Sequence, residues 1–180
     1  MCSARASQIP TPKRIGPYAT VAAGPGWSLT AWVSNRGICT YNWSISGGGG
    51  SSCGADVVGA PPDLVGKTPT TRPVEIACDV DDDNTFSHPS TPSINIDCVG
   101  AAAVDRIRVL FRDRTPLTAS RLLAPPALKT NIHFFLLRSI RTSAPMTAFK
   151  SGHILLPFRS IIAYDANGRM IGRESGTLKG

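Results

Sequence analysis

Apolar and polar residues alternate in several short stretches of this chain, with the period of two that half-buried β-strands have. The clearest stretches are Ser93–Val99 and Val104–Arg112, with these predicted core positions: Ile94, Ile96, Cys98, Ile107, Val109 and Phe111. Trp27–Ser34 alternates in part and places on one face Trp27, Leu29, Ala31 and Val33. Asn131–Leu137 is apolar almost throughout, which predicts a strand buried on both faces.

Turn signals separate these stretches at intervals of about ten residues. The strongest is Asn167-Gly168, because a two-residue type I′ hairpin turn needs positive φ at both central positions. It lies between β-forming residues in Ile161–Tyr164 and Met170-Ile171. Leu117–Leu123 resembles the start of a helix, but Pro125-Pro126 would end that helix within two turns. The pattern predicts an all-β, antiparallel β-sandwich, immunoglobulin-like or similar, with nine to ten short strands and little helix.

The length of 180 residues fits one domain with a substantial core. Three prolines among small and basic residues make 1–17 a predicted flexible leader or tether. Residues 18–174 form the predicted sandwich domain, with a subdivision near residue 100 as the alternative, and 175–180 are a predicted tail.

Five cysteines bear on the cellular compartment. Cys39, Cys53, Cys78 and Cys98 lie in the body of the chain and allow three connectivities. Sequential pairing would close loops of 14 and 20 residues, and the run Gly47–Gly50 predicts a flexible loop that lets Cys53 reach Cys39. Two disulfides would indicate an oxidising compartment, so we predict an extracellular or cell-envelope protein. The alternative is a cytosolic protein with buried free thiols.

The N-terminus has no apolar segment of the kind found in secretory signals, and no stretch reaches the length of a membrane span. The fifth cysteine, Cys2, precedes small residues and a Pro/Lys/Arg-rich stretch, as at the start of a processed bacterial lipoprotein. A lipid on Cys2 is therefore one hypothesis for how the protein meets a membrane, and an unmodified tail cysteine is the other.

Acidic and basic residues are distributed unevenly. Residues 1–99 carry six Lys/Arg and eight Asp/Glu, a net of −2, whereas residues 100–180 carry thirteen and four, a net of +9. The simpler interpretation of the basic half is a solvated strand face, because its arginines recur at even spacing. The alternative is a surface for an anionic polymer, with nucleic acid the less favoured partner.

One acidic cluster has the spacing of a calcium loop. Asp79, Asp81 and Asp83 stand at positions i, i+2 and i+4, but the closing Glu of an EF-hand is replaced by Ser90. Calcium at these three residues is the one cofactor hypothesis, and a solvated acidic loop is the alternative.

Several short motifs together resemble a group of uncharacterised exported β-sandwich proteins of high-GC Gram-positive bacteria. These motifs are Trp27–Val33, Gly37–Cys39, Gly47–Gly54, Val104–Phe111, Phe134-Phe135 and Ala163–Arg169. They cover most of the chain, although Cys78 and the following acidic residues have no counterpart in that group. The resemblance implies export and a sandwich fold, and it implies no reaction.

No catalytic constellation stands out. There is no G-x-S-x-G motif, and His88, His133 and His153 are isolated from any obvious nucleophile or acid. We therefore predict a non-enzymatic, exported or cell-surface binding module whose partner is a protein or a cell-wall polymer. The alternatives are a self-associating structural subunit of an envelope or extracellular assembly, and, less favoured, a hydrolase or an anionic-polymer binder acting through the basic half.

Overall fold

The computed structural model describes residues 13–35, 37–45, 48–53, 76–82, 93–143, 147–148 and 153–179. These residues form thirteen strands: β1 Ala19–Gly24, β2 Trp27–Ser34, β3 Gly37–Ser44, β4 Gly48–Cys53, β5 Ile76–Asp82, β6 Ser93–Ala101, β7 Arg106–Phe111, β8 Leu117–Ser120, β9 Leu122–Leu123, β10 Ile132–Arg141, β11 Thr147–Ala148, β12 His153–Tyr164 and β13 Met170–Lys179. One 3₁₀ turn, Pro126–Leu128, interrupts the strands. In this part of the chain no helix has the length and apolarity needed to span a membrane.

The strands form three antiparallel sheets. Sheet 1 is the meander β1-β2-β3-β4, and sheet 2 has the order β5-β6-β10-β9. Sheet 3 contains β8, β7, β12 and β13 in that order, and β11 pairs with β12 beyond the end of β7. The predicted all-β antiparallel class is confirmed. The described residues form thirteen strands and three sheets, however, where we predicted nine to ten strands in two layers.

Sheet 2 is the middle layer, because apolar clusters cover both of its faces. Phe135 belongs to the larger cluster, which lies between sheets 2 and 3, and Phe134 belongs to the smaller one, between sheets 1 and 2. Both side chains are completely buried. The predicted burial on both faces is confirmed for 132–135, since neighbouring residues of a strand point to opposite sides of its sheet, whereas Asn131 is exposed and 136–137 are partly buried.

The core-facing positions predicted from alternation in β6 and β7 are also confirmed, because all six belong to the cluster between sheets 2 and 3. Burial of each large aliphatic or aromatic side chain among them contributes roughly 1.5–3 kcal/mol to folding. Leu29, Ala31 and Val33 of β2 belong to the smaller cluster, and Trp27 packs against it. Sheet 1 therefore faces sheet 2 through this side of β2.

Both disulfides follow the sequential pairing. Cys39–Cys53 joins directly opposed residues of β3 and β4, and Cys78–Cys98 joins directly opposed residues of β5 and β6. The flexible loop predicted for Gly47–Gly50 is wrong for Gly48–Gly50, which pair with β3 as part of β4. The ladder and the disulfide hold these glycines extended despite their low β-propensity.

Two boundaries differ from the sequence analysis. Lys13 and Ile15, within the predicted leader, hydrogen-bond with the chain at the end of β2, where Ile15 N–H donates to the Val33 carbonyl (2.8 Å). The predicted tail is part of β13, whose pairing with β12 continues to Lys179. Residue 100 lies inside β6. Residues 1–12, including Cys2, lie outside the described part of the chain.

The β12–β13 hairpin is present, but its turn is not the predicted type I′. Of its central residues only Gly168 has positive φ (79°), and Gly168 N–H donates to the Asp165 carbonyl (3.0 Å). The Asp165 carboxylate accepts hydrogen bonds from the backbone N–H groups of Asn167 (3.0 Å) and Arg169 (2.8 Å). An aspartate that caps its own loop in this way favours a longer loop over a two-residue turn.

Candidate functional site

The outer face of sheet 1 carries most of the exposed aromatic area of the described chain. The inward positions of β2 and β3 face sheet 2, so the alternate positions point to solvent. We call four outward residues the aromatic platform: Tyr18, Trp32, Tyr41 and Trp43. Trp43 is 41% exposed, Tyr41 38% and Tyr18 59%, and the Tyr18 and Trp32 rings meet edge to face at 5.2 Å.

Small side chains surround the platform and leave its rings uncovered. Tyr41 lies between Thr30 of β2 and Ser51 of β4, and Trp43 lies between Ser28 and Gly49 in the next outward row. Directly opposed residues share one face of a sheet, so hydroxyl groups and a glycine border the two rings. The platform is therefore a broad aromatic surface with hydrogen-bonding groups at its sides.

The sheet that bears the platform is also crosslinked, and its described residues include no acidic side chain. Trp32 lies directly opposite Cys39, so the Cys39–Cys53 disulfide crosses the same face. The guanidinium of Arg14 lies 4.5 Å from the centre of the Tyr18 ring, a cation–π contact. The first 55 residues of the chain contain no Asp or Glu. This surface is suited to neutral or anionic ligands with flat apolar faces.

A cleft of about 190 Å³ opens beside the platform, between sheets 1 and 2. We call it the seam cleft, and these residues line it: Pro25, Gly26, Trp27, Asn42, Ser44, Ile45, Asn95, Arg138 and Ser139. It combines one aromatic wall with two amides, two hydroxyls and a guanidinium. Polar groups converging in this way on the apolar interior of a sandwich are typical of a binding site.

A β-bulge builds the floor of the seam cleft. Between Leu137, which pairs with Ile96, and Ile140, which pairs with Ile94, strand β10 has two residues and β6 has only Asn95. The second of these bulge residues, Ser139, has φ 50°, and its N–H donates to Asn95 Oδ1 (2.9 Å). A non-glycine residue in the left-handed region is strained by about 1–2 kcal/mol.

The other bulge residue, Arg138, is largely buried. Its Nη2 lies 2.9 Å from Oδ1 of the buried Asp97, and its guanidinium lies 4.5 Å from the centre of the Trp27 ring. Its Nε has no hydrogen-bond acceptor in the described part of the chain. The ion pair offsets the cost of burying either charge alone, and the guanidinium has more donors than this pair uses.

A second cavity, of about 160 Å³, also lies between sheets 1 and 2, and its lining includes Asp79 and Asp97, which are directly opposed on β5 and β6. On β13, which contacts β5, Glu174 lies close to this pair of strands. Burial raises the pKa of Glu174 to about 7. A hydrogen bond from the Cys78 backbone N–H lowers this pKa, and the negative charge of Asp79 raises it further. Oε2 of Glu174 is buried and has no hydrogen-bond partner among the described residues.

The predicted calcium loop is a strand where the structure describes it. Asp79 and Asp81 lie in β5 and pair with β6, and Asp83 lies outside the described residues. An extended, ladder-paired backbone does not curl around an ion as a calcium loop does. Within the described chain no three metal-binding side chains come together. Calcium binding at these residues stays a prediction.

The structure describes the surroundings of one histidine side chain, that of His133. His133 is buried, and its Nδ1 lies 2.8 Å from the Val104 carbonyl oxygen, a contact that joins β10 to the chain just before β7. His153 begins β12, and His88 lies outside the described residues. His133 therefore has a structural role.

Fold and disulfides define this molecule as an all-β sandwich protein with two crosslinked strand pairs. No protein-family model, curated protein or solved structure matches the chain. The resemblance to exported sandwich proteins of high-GC Gram-positive bacteria stays a prediction.

Sequence reasoning found neither the platform nor the seam cleft. The signal for the platform was present, because Cys39, Tyr41 and Trp43 alternate with inward-facing residues in β3. The cleft had no such signal. Arg138 and Ser139 follow an apolar run without any glycine to indicate a bulge, and Trp27 comes from a segment distant in sequence.

Proposed function

We propose that this protein is an exported, non-catalytic binding module that holds a cell-wall polysaccharide on its aromatic platform. The observation that carries the proposal is the grouping of Tyr18, Trp32, Tyr41 and Trp43 on one crosslinked sheet face, bordered by hydroxyls. The C–H face of a pyranose ring packs on an aromatic ring, while its hydroxyl edges need hydrogen-bonding groups at the sides. The platform offers both, because the rings of Tyr41 and Trp43 on β3 have hydroxyl side chains beside them on the neighbouring strands.

Export is supported by the two disulfides, which persist in oxidising compartments and are rare in the cytosol. A cell-wall polymer also fits the charge of this region, since the residues before position 56 include basic side chains and no acidic ones. An extended polymer can lie across several strands of a flat face, which a small enclosed pocket does not allow.

The test is a depletion assay with purified bacterial cell walls, chitin and cellulose as insoluble probes. The polymer to test is the one that binds the wild type. Trp43→Ala and Tyr41→Ala should each lower the affinity for it about tenfold, which corresponds to ~1.4 kcal/mol for one lost aromatic contact. The matched controls are Leu123→Ala and Met170→Ala, which remove exposed apolar side chains on other sheets (72% and 58% exposed). Equal binding by platform and control variants, or no binding to any probe, would refute the proposal.

The second candidate is a structural subunit that associates with copies of itself. The observation in its favour is that β4, with its small Gly and Ser residues, ends sheet 1, and no described strand pairs with its second edge. Light scattering over a concentration series distinguishes the two. Growth in mass with concentration would favour self-association, whereas a constant monomer mass favours the binding module.

A further inference from the structure

We propose that the seam cleft is a subsite for a carboxylate-bearing sugar unit of the polymer that the platform holds. This inference rests on the proposed function and specifies its ligand. The platform alone accepts any flat sugar surface, so the cleft would supply the chemical selectivity.

The cleft is placed to receive one unit of a chain that lies on the platform. Along β3, Tyr41 and Trp43 point outward, and the next outward position is Ile45, just after the strand. Ile45 is 78% exposed and also lines the cleft. Asn42 and Ser44, the intervening inward residues, line it too. A ligand that passes over Trp43 and Ile45 therefore meets the cleft mouth directly.

The chemistry of the cleft fits a carboxylate in particular. The lining contains a guanidinium, Arg138, and no acidic side chain among the described lining residues. Asp97 pairs with Nη2 of that guanidinium from sheet 2 and so orients Arg138, and the buried Nε has no acceptor among the described residues. Guanidinium groups bind carboxylates through charge-assisted hydrogen bonds, while Asn42 and Asn95 can bond to hydroxyl or acetamido groups.

The size and rigidity of the cleft point to one small unit. Its volume of about 190 Å³ is below the roughly 300–1,000 Å³ of pockets for drug-sized ligands. The bulge fixes Arg138 and Ser139, and Asn95 holds the Ser139 N–H. On the opposite rim Gly26 has φ 76°, and a Cβ there would come within 2.7 Å of the Ile45 side chain. Both walls are therefore pre-formed, which lowers the entropic cost of binding.

The three tryptophans allow the two surfaces to be observed separately. Trp27 lines the cleft, whereas Trp32 and Trp43 belong to the platform. The experiment follows the three indole N–H signals of the full ¹⁵N-labelled chain by NMR, assigned with single Trp→Phe variants. The soluble probes are N-acetylmuramic acid and N-acetylglucosamine, which differ in the 3-O-lactyl ether that bears the carboxylate, and chitin oligosaccharide serves as the neutral chain.

N-Acetylmuramic acid should shift the Trp27 signal and bind about tenfold more tightly than N-acetylglucosamine, as expected for a charged hydrogen bond. Chitin oligosaccharide should shift the signals of Trp32 and Trp43. Ile45→Glu should abolish the preference for the acidic sugar by placing a carboxylate at the mouth, and Ile45→Gln should keep it. Ile45 is exposed, so neither change disturbs the core.

The outcomes separate this inference from the proposed function. Equal affinity for the two monosaccharides, or acid binding that leaves the Trp27 signal unmoved, would overturn the subsite, even with the platform binding chitin oligosaccharide. A preference for the acid that Ile45→Glu fails to weaken would also overturn it. A Trp27 shift by the acid, with the platform signals unmoved by every probe, would support the acidic subsite and count against the platform.

Discussion

Ionisation of Glu174 should destabilise the protein as the pH rises towards neutrality. The carboxyl is placed where β13 contacts β5, and burial raises its pKa from the ordinary value of 4.5 to about 7. A group whose pKa is higher in the folded than in the unfolded state favours folding while it is protonated. Its contribution is complete below about pH 4.5 and is lost as the pH rises through 7.

The magnitude follows from the two pKa values. A difference of about 2.5 units at 1.36 kcal/mol per unit corresponds to roughly 3 kcal/mol of unfolding free energy. Typical domains have about 5–15 kcal/mol in total, so this loss is easily measured. Glu174→Gln keeps the shape of the side chain and removes its ionisation, so the variant should lack this component of the pH dependence.

The assay is urea unfolding at pH 4.5, 5.5, 6.5 and 7.5 at constant ionic strength, followed by tryptophan fluorescence. Relative to Glu174→Gln, the wild type should lose about 3 kcal/mol between the lowest and highest pH. The control is Asp113→Asn. Hydrogen bonds, the strongest from the Ser143 hydroxyl, lower the pKa of Asp113, so the effect of this substitution on the free energy of unfolding should change little above pH 4.5. A wild-type minus Glu174→Gln difference that is constant across the series would refute the reasoning.

Two further predictions concern the core and the basic half. Phe134→Ala and Phe135→Ala should each cost about 3–5 kcal/mol in urea unfolding, because both side chains are fully buried, on opposite faces of β10. If either variant matched the wild type in stability, sheet 2 would not be covered on that face. Arg108 and Arg173 are exposed on the outer row of sheet 3, on either side of Ile162, and have no ion-pair partner within the described chain. If the basic half binds anionic polymers, the double variant Arg108→Gln, Arg173→Gln should reduce the slope of log heparin affinity against log salt concentration by about two. An unchanged slope would show that these arginines are only solvated.

Features that depend on neighbouring residues could be predicted from the sequence, whereas contacts between distant segments could not. Alternation identified the core side of β6 and β7, because a period of two depends only on neighbouring residues. The apolar run around Phe134 and Phe135 indicated a strand covered on both faces, but it did not specify which sheets cover it. Pairing of β6 with β10, and docking of sheet 1, are contacts between distant segments that no local pattern encodes. The bulge at Ser139 depends on the same long-range pairing.

The two apolar clusters suggest how stability and binding are divided between the layers. The larger cluster joins sheets 2 and 3, whereas the face of sheet 2 towards sheet 1 also carries Asn95, Asp97 and Arg138. Buried polar groups contribute less to stability than apolar packing of the same volume. Sheet 1 therefore packs on a less apolar face. Within sheet 1 the Cys39–Cys53 disulfide joins residues 14 positions apart and contributes roughly 3 kcal/mol to the free energy of unfolding. Because sheets 2 and 3 carry most of the core, the polar seam and the exposed aromatic face of sheet 1 are tolerated where the proposed ligand would bind.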